Sequence, residues 1–358
     1  MKIFEPFETP REGARVLSAG GVSRRRPPLN FREEDRPLFA HELEREIPPA
    51  VMLELEGVGV NAEGMLFKGG RIMPESFSSP VIMGQFMARK RSVIKALAVN
   101  RLLRPRRRLE KDCLWVVDDW GYGYFHWLAD ALCRLYAAGD AAEDLVLLLP
   151  ERYRRLEYVR SSLGAFRVAG VEYVAEGEVV FPRRLFMPTH VAPSGNYNEE
   201  IIRGLSELLV GFYGEGKGSD FGERVYLSRG RAPKRKVANE DEVLDTLREF
   251  GFRVVHFEEH PFEEQVRIAA GAQYLISNHG AGLTNMMFMK PGGRVLELRR
   301  RDESERNWFF NLASAARLAY FYQLCDPERP GEDPHTANLV VESRLFRENL
   351  ELMLADRS

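Results

Sequence analysis

Most of what usually betrays a function is missing from this sequence. Three cysteines in 358 residues, Cys113, Cys133 and Cys325, are too few and too far apart for a disulfide framework or a zinc site. All three lie in apolar stretches and are expected as buried thiols. No stretch reaches the roughly 18 apolar residues of a membrane span. The start, MKIFEPFETPREG, has charges and prolines where a secretion signal needs an apolar core, so the expected location is the cytoplasm. A basic excess is lacking too: 51 Lys and Arg against 53 Asp and Glu give a net charge of −2 and a pI near 6.4, which argues against a nucleic-acid partner. There is no Asp-x-Asp triplet for a metal-bound diphosphate. Asp118 and Asp119 are adjacent, which sends their side chains to opposite sides of an extended chain. The spacings G-x-x-x-x-G-K-[ST] and G-x-S-x-G are absent, and no Cys/His set has metal spacing. Gly121-Tyr-Gly123 lacks the third glycine and the following acid of a dinucleotide fingerprint, so a dinucleotide dehydrogenase would have no phosphate loop. Neither a metal nor an organic cofactor is expected.

What is present reads as an ordinary globular chain, 44% hydrophobic and 29% charged, with no internal repeat and length enough for two cores. Residues 1–48 are rich in proline and arginine (Arg24-Arg-Arg-Pro-Pro28) and read as an extended arm with little fold of its own. Residues 50–77 alternate in short runs broken by glycine, the pattern of a β-meander. A helix over 93–103 and a basic connector over 101–111 follow. That basic run is a solvated segment or a patch for anionic lipid or an anionic acceptor. From Cys113 the pattern becomes strand, helix, strand: strands at 113–118, 145–149 and 184–187, with helices at 124–138, 152–163 and 199–213. Such alternation means parallel strands with helices on both faces. Gly214–Ser219 reads as a linker. A second set runs through strands at 225–228, 253–257, 273–277, 294–298 and 318–324 to a last helix at 343–354. The expected architecture is two Rossmann-like α/β domains on a hinge with a cleft between them. The boundaries are 1–110 for the arm and meander, which go with the first domain, 111–214 for the rest of that domain, 220–325 for the second domain, and 326–358 for the tail and a final helix expected to pack back on the first domain.

Four stretches can carry chemistry. In QYLISNHGAGLTNMMFMKPGGRVLEL (273–298) a strand runs into a glycine turn, His279-Gly280-Ala281-Gly282, and then a helix. That places free amides and the positive end of a dipole toward an anion such as a diphosphate. His279, Thr284 and Asn285 line the turn, and Glu297 ends the next strand; a close-packed βα turn would use the same glycines. In YLSRGRAPKRKVANE (226–240) a strand ends at Ser228 and a loop carries Arg229 and Arg235, guanidinium groups suited to clamp phosphate, or simply a solvated basic loop. Asn239 is placed as the next helix's N-cap. In GYGYFHWLAD (121–130) His126 and Asp130 share one helix face. Together they make a general base and its orienting partner, with Asp130 favoured as base and the reverse assignment equally competent, or else a surface pair. Glu258 and Gln265 flank a helix start and can touch a nucleobase or ribose.

These blocks, Tyr124-Phe-His126-x3-Asp130, Ser228-Arg229 with Arg235, Asn239-Glu240, Gln265, and HGAGLTN at 279–285 with Glu297, resemble glycosyltransferase family 61. That family joins bacterial capsular-polysaccharide transferases to plant xylosyl- and arabinosyltransferases and eukaryotic O-linked N-acetylglucosaminyltransferases. The blocks span about 113–298, and HGAGLTN followed by P-G-G-x-V-L-E-L is the specific part. In the family an Asn often precedes Tyr-Phe-His, where this chain has Gly123. The resemblance implies a GT-B fold, a nucleotide-sugar donor (UDP-linked by expectation), inversion at the anomeric carbon, and a glycan or lipid-linked glycan acceptor in surface polysaccharide synthesis. A peripheral contact with the inner membrane face would fit such an acceptor. The other classes consistent with the residues are a retaining or phosphorolytic GT-B enzyme and an inactive nucleotide-sugar-binding scaffold.

Overall fold

Strand Val146–Pro150 is buried at every position, as expected of a run of valine and leucine held between two parallel neighbours. In the computed structural model it lies in a sheet whose parallel part runs Gly170–Val174, Val146–Pro150, Arg106–Leu114, Val179–Pro188. The structure describes residues 13–89, 91, 93–95, 104–214, 221–301, 306–333 and 336–355. The expected linker beyond Gly214 and most of the expected helix at 93–103 lie outside these residues. Between the last two parallel strands of the chain the described residues include one helix, Trp308–Ala315. Among the described residues no helix is long and apolar enough to cross a membrane.

The chain divides into two units. Residues 1–21 and 47–194 make the first, and 22–46 with 195–358 the second. In the first, the parallel strands continue into an antiparallel meander, Gly59–Asn61, Leu66–Lys68 and Arg71–Ile72, while Ala50–Leu55 pairs with the far half of Val179–Pro188. Read along the sheet, the four parallel strands fall in the chain order third, second, first, fourth. The order therefore reverses between Arg106–Leu114 and Val179–Pro188, and the carboxyl ends of those strands open a switch point.

The second unit's sheet runs Arg253–Val255, Arg224–Leu227, Tyr274–Asn278, Arg294–Arg300, Ala319–Pro327, all parallel, with Leu339–Val340 antiparallel at the edge. Its order also reverses once, between Arg224–Leu227 and Tyr274–Asn278. Helix Glu199–Tyr213, capped by Asn198, which accepts from the Ile201 N–H at 3.2 Å, covers this unit and buries Ile201, Ile202, Leu205 and Leu209. It belongs here and not, as the expected boundary at 214 had it, with the preceding unit.

Three further expectations are corrected. The basic run is not a connector: Arg106–Leu114 is a strand, and two of its charges are held in ion pairs, Arg107 with Glu178 at 3.0 Å and Lys111 with Glu172 at 3.0 Å. Residues 22–46 do not form a loose arm. Leu29 N donates to the Tyr320 carbonyl at 2.8 Å, and Asn30 exchanges two hydrogen bonds with the Tyr322 backbone at 2.7 and 3.1 Å. Phe39 is fully buried, edge-on to Phe310 at 5.1 Å and Tyr322 at 4.9 Å. A polar, proline-rich segment thus takes its order from a sheet nearly three hundred residues downstream. Finally, the last helix, Ser343–Leu354, buries Phe346, Leu350 and Met353 in the core of its own unit, together with Val243 and Leu247 of Glu240–Glu249.

Candidate active site

At the switch point of the first unit, Gly123 opens a short helix, Tyr124–His126, that passes into a π-helical turn, Trp127–Ala131. Such turns widen the spacing of side chains and recur at functional sites. Here His126 Nδ1 lies 2.7 Å from Asp130 Oδ2. Ser194, at the end of the loop after Val179–Pro188, donates its hydroxyl to the same oxygen at 3.0 Å. Asp130 is only 6% exposed. A buried carboxylate that receives the Nδ1 proton fixes the imidazole in the tautomer whose lone pair is on Nε2. The geometry therefore favours His126 as the proton acceptor and Asp130 as its orienting partner, the reverse of the expected emphasis.

A second pair lies at the same strand ends. His190 Nε2 is 2.9 Å from Asp118 Oδ2, and Asp118 Oδ1 accepts the backbone N–H groups of Trp120 at 2.9 Å and Gly121 at 3.0 Å. Burial pushes the Asp118 carboxyl up, but His190, Arg134 and the Trp120 N–H more than reverse it, to about 2. Neither His190 nor Ser194 is recognisable in the sequence. Both follow a strand by a few residues with no motif around them, and only the sheet order brings them to Asp118 and Asp130.

At the switch point of the second unit the two βα loops meet. Arg229 follows strand Arg224–Leu227. Its Nε donates to the carbonyl of Arg235 and its Nη2 to that of Lys234, both at 3.3 Å. Arg235 has φ of 57°, a left-handed conformation that costs a non-glycine residue about 1–2 kcal/mol. Its carbonyl also accepts from Asn278 Nδ2, which ties the basic loop to the turn after Tyr274–Asn278. Among the described residues no carboxylate is within ion-pair distance of Arg229. Its pKa is lowered to about 10, first by burial and then by the neighbouring Arg235 charge, with Glu258 acting the other way. Arg229 is still a cation at neutral pH, and a poorly solvated one.

The HGAG turn starts a 3₁₀ helix, Ala281–Phe288. Its glycines are close-packing positions with different neighbours from those expected. A Cβ on Gly280 would sit 2.5 Å from Arg229 Nη1, and one on Gly282 would sit 2.7 Å from Leu227 Cδ2. The space the sequence assigned to a ligand is filled by the arginine that would hold it. Thr284, in the helix Ala281–Phe288, is fully buried and its hydroxyl meets no partner, and the same holds for Asn278 Oδ1 at the end of the preceding strand. Buried polar atoms left unmatched at a strand end are suited to a ligand or ordered water.

Glu297 is not a ligand group. It is fully buried, accepts from the Tyr320 hydroxyl, and lies 2.5 Å from His279 Nδ1 through Oε1. Burial raises its carboxyl, but His279, Arg299 and Tyr320 together bring it below the ordinary value, so it stays ionised and orients His279. His279 is 7% exposed and packs against Phe309 at 5.0 Å. Gln265 is likewise structural: its amide donates to the carbonyls of Phe257 at 3.0 Å and His260 at 2.9 Å. Asn285 donates to the Gly282 carbonyl at 3.0 Å and closes the turn. Asn239 occupies the N-cap position, yet its side chain exchanges hydrogen bonds with the backbone of Val341 and caps no helix amide. Glu258 is exposed beside Arg229, acting on it at longer range. Glu240, of the Asn239-Glu240 block, accepts from Ser228 Oγ at 2.7 Å and Tyr226 Oη at 2.9 Å, fixing the strand end that carries Arg229.

Residues 124–296 match the family described as Glycosyltransferase 61. Among individual proteins, the chain is 32% identical over 112 residues to the mouse protein O-linked-mannose beta-1,4-N-acetylglucosaminyltransferase 2, a stretch covering 30% of this chain and 19% of that protein. The human form is 33% identical over the same length with the same coverage. The EGF domain-specific O-linked N-acetylglucosamine transferase of Drosophila melanogaster is 40% identical over 99 residues, which is 27% of this chain and 18% of the fly protein. The chain thus matches about a fifth of the length of these curated relatives.

Proposed function

We propose that this chain, which matches glycosyltransferase family 61 over residues 124–296, transfers a sugar, with inversion, from a nucleoside diphosphate sugar to a hydroxyl of a glycan acceptor. The observation that carries this reading is Arg229: a poorly solvated cation with no carboxylate in ion-pair reach, at the switch point of a parallel sheet, where α/β proteins bind ligands. A diphosphate supplies the missing charge. Arg235 and the amides at the start of Ala281–Phe288 add to its hold, and the unmatched Thr284 hydroxyl and Asn278 carbonyl take further polar contacts.

The step is a single displacement. His126 Nε2 takes the proton of the acceptor hydroxyl as that oxygen bonds to the anomeric carbon. The bond from that carbon to the diphosphate oxygen breaks on the opposite face, which inverts the centre. The electron pair leaves on the diphosphate, where Arg229 and Arg235 stabilise it. Asp130 keeps the imidazole in its tautomer and stabilises the imidazolium once formed. With the leaving group on arginines, the reaction needs no metal. The two switch points serve one substrate pair if the units adopt the two-domain GT-B arrangement.

N-acetylglucosamine, named for both groups of relatives, is the first sugar to test, on uridine diphosphate. A lipid-linked glycan of surface polysaccharide synthesis is the acceptor we favour, reached by peripheral contact with the inner membrane face. A cytoplasmic site is in keeping with three free, buried cysteines. The test is a thermal-shift and nucleotide-release screen over UDP-, GDP-, CMP- and TDP-sugars. One donor should raise the melting temperature and be turned over slowly to free nucleotide. A protein that responds to none of them is not a nucleotide-sugar transferase.

A further inference from the structure

The loop 118–123 leaves two large aromatic rings in solvent, Trp120 at 36% and Tyr122 at 43% exposure, whereas Trp115 and Trp127 nearby are fully buried. The loop that carries them is held from several sides. Asp118 accepts the Trp120 and Gly121 N–H groups, and Gly123 N donates to the Trp120 carbonyl at 3.0 Å. The Tyr158 hydroxyl donates to the Tyr122 carbonyl at 2.7 Å, and the Tyr122 ring lies between Arg152 at 5.1 Å and Tyr153 at 5.8 Å. A Cβ on Gly121 would come within 3.0 Å of Tyr153 Oη and 3.2 Å of Val117 Cβ, so the backbone itself is packed. The Trp120 ring centroid is 5.0 Å from that of His126, with the planes 54° apart.

We propose that Trp120 is the stacking platform for the acceptor: it takes the apolar C–H face of the pyranose whose hydroxyl His126 deprotonates, with Tyr122 at its flank. This rests on the reading of His126 as the base. The electron-rich face of an indole attracts polarised C–H groups, and a pyranose offers one such face with hydroxyls around its rim. A ring stacked on Trp120 carries those hydroxyls past the indole edge toward the imidazole. A ring already fixed in place loses little freedom when the sugar binds, which is where preorganisation adds affinity.

The experiment uses the full chain, ¹⁵N-labelled, and the probes methyl β-D-glucopyranoside, methyl β-D-galactopyranoside and methyl α-D-mannopyranoside at millimolar concentration without donor. The Trp120 indole N–H resonance, identified by its loss in Trp120→Phe, should shift with at least one probe while those of Trp115 and Trp127 stay put. In transfer assays Trp120→Ala should raise the acceptor KM roughly tenfold and leave the donor KM unchanged, with Trp120→Phe restoring most of the loss. A Trp120 resonance unmoved by all three probes, in a protein that still hydrolyses its donor, overturns the platform and leaves the transferase standing. A parallel rise in donor KM also overturns it, since Trp120 would then be shaping the loop. Shifts at Trp120 in a protein that turns over no nucleotide sugar would keep the sugar site and sink the transferase.

Discussion

Replacing Arg229 with methionine should make the protein more stable while removing its hold on the donor. The folded-state pKa of Arg229 is about 10 against an ordinary 12.5. A group that is a weaker base in the folded chain than in the unfolded one destabilises the fold wherever it is charged in both. The penalty is therefore fully present at neutral pH and relaxes only as pH rises from about 10 toward 12.5. That difference is worth up to roughly 3 kcal/mol. Methionine has a similar length and no charge, but it gives up the two 3.3 Å hydrogen bonds to the carbonyls of Lys234 and Arg235, which returns about 1 kcal/mol for each long bond lost. The net expectation is a gain of about 1 kcal/mol, or roughly 2–4 °C in melting temperature for a unit of this size. Calorimetry with and without saturating donor reads both effects in one experiment. Wild type should melt lower than Arg229→Met without donor and higher with it, and Arg229→Lys, which keeps the charge without the fork, should fall between on donor affinity. A variant that melts several degrees below wild type yet is still raised by the donor would show that Arg229 serves the loop and not the diphosphate.

Asp130→Asn should cut turnover by about 10²–10⁴, the usual contribution of a positioned base, because an amide facing Nδ1 favours the wrong tautomer of His126; donor affinity, measured by calorimetry, should not change. His126→Ala should be as inactive, and Asp130→Asn activity near wild type would free His126 of that partner. Gly280→Ala should weaken donor binding without unfolding the protein, since its Cβ would sit 2.5 Å from the movable end of the Arg229 side chain; unchanged affinity on titration would place the diphosphate elsewhere. Turnover in the presence of excess EDTA should match that in its absence, and a loss restored by Mn²⁺ would point to a metal site outside the residues singled out here.

The alternation of apolar strands and amphipathic helices from Cys113 onward is local information, so both parallel sheets and the loops at their switch points could be read directly. His126 and Asp130 were legible because their spacing is set by one helix. The glycines of the HGAG turn announced a close approach but could not say of what, and the neighbour is an arginine about fifty residues away. His190 and Ser194 were hidden for the same reason: each acquires its partner from strand order. Glu297 was misread because a carboxylate at a strand end looks the same in sequence whether it faces a ligand or a buried histidine and tyrosine. Residues 22–46 gave the most misleading signal. Their polarity and prolines describe the segment alone, whereas its order comes from Phe310, Tyr320 and Tyr322.

That segment also sets a timetable. As the chain leaves the ribosome, Leu29, Asn30 and Phe39 emerge nearly three hundred residues before the strand they dock on, Ala319–Pro327. Contacts of such long sequence separation are slow to form. The first unit, residues 47–194 with 1–21, can assemble while the segment between its two pieces is still waiting, tethered at both ends. A nascent chain stalled before residue 319 would therefore hold Phe39 and its neighbours without a berth, a natural binding site for chaperones. It follows that 195–358 made alone should be poorly soluble, and that a peptide spanning 22–46 supplied in trans should rescue it.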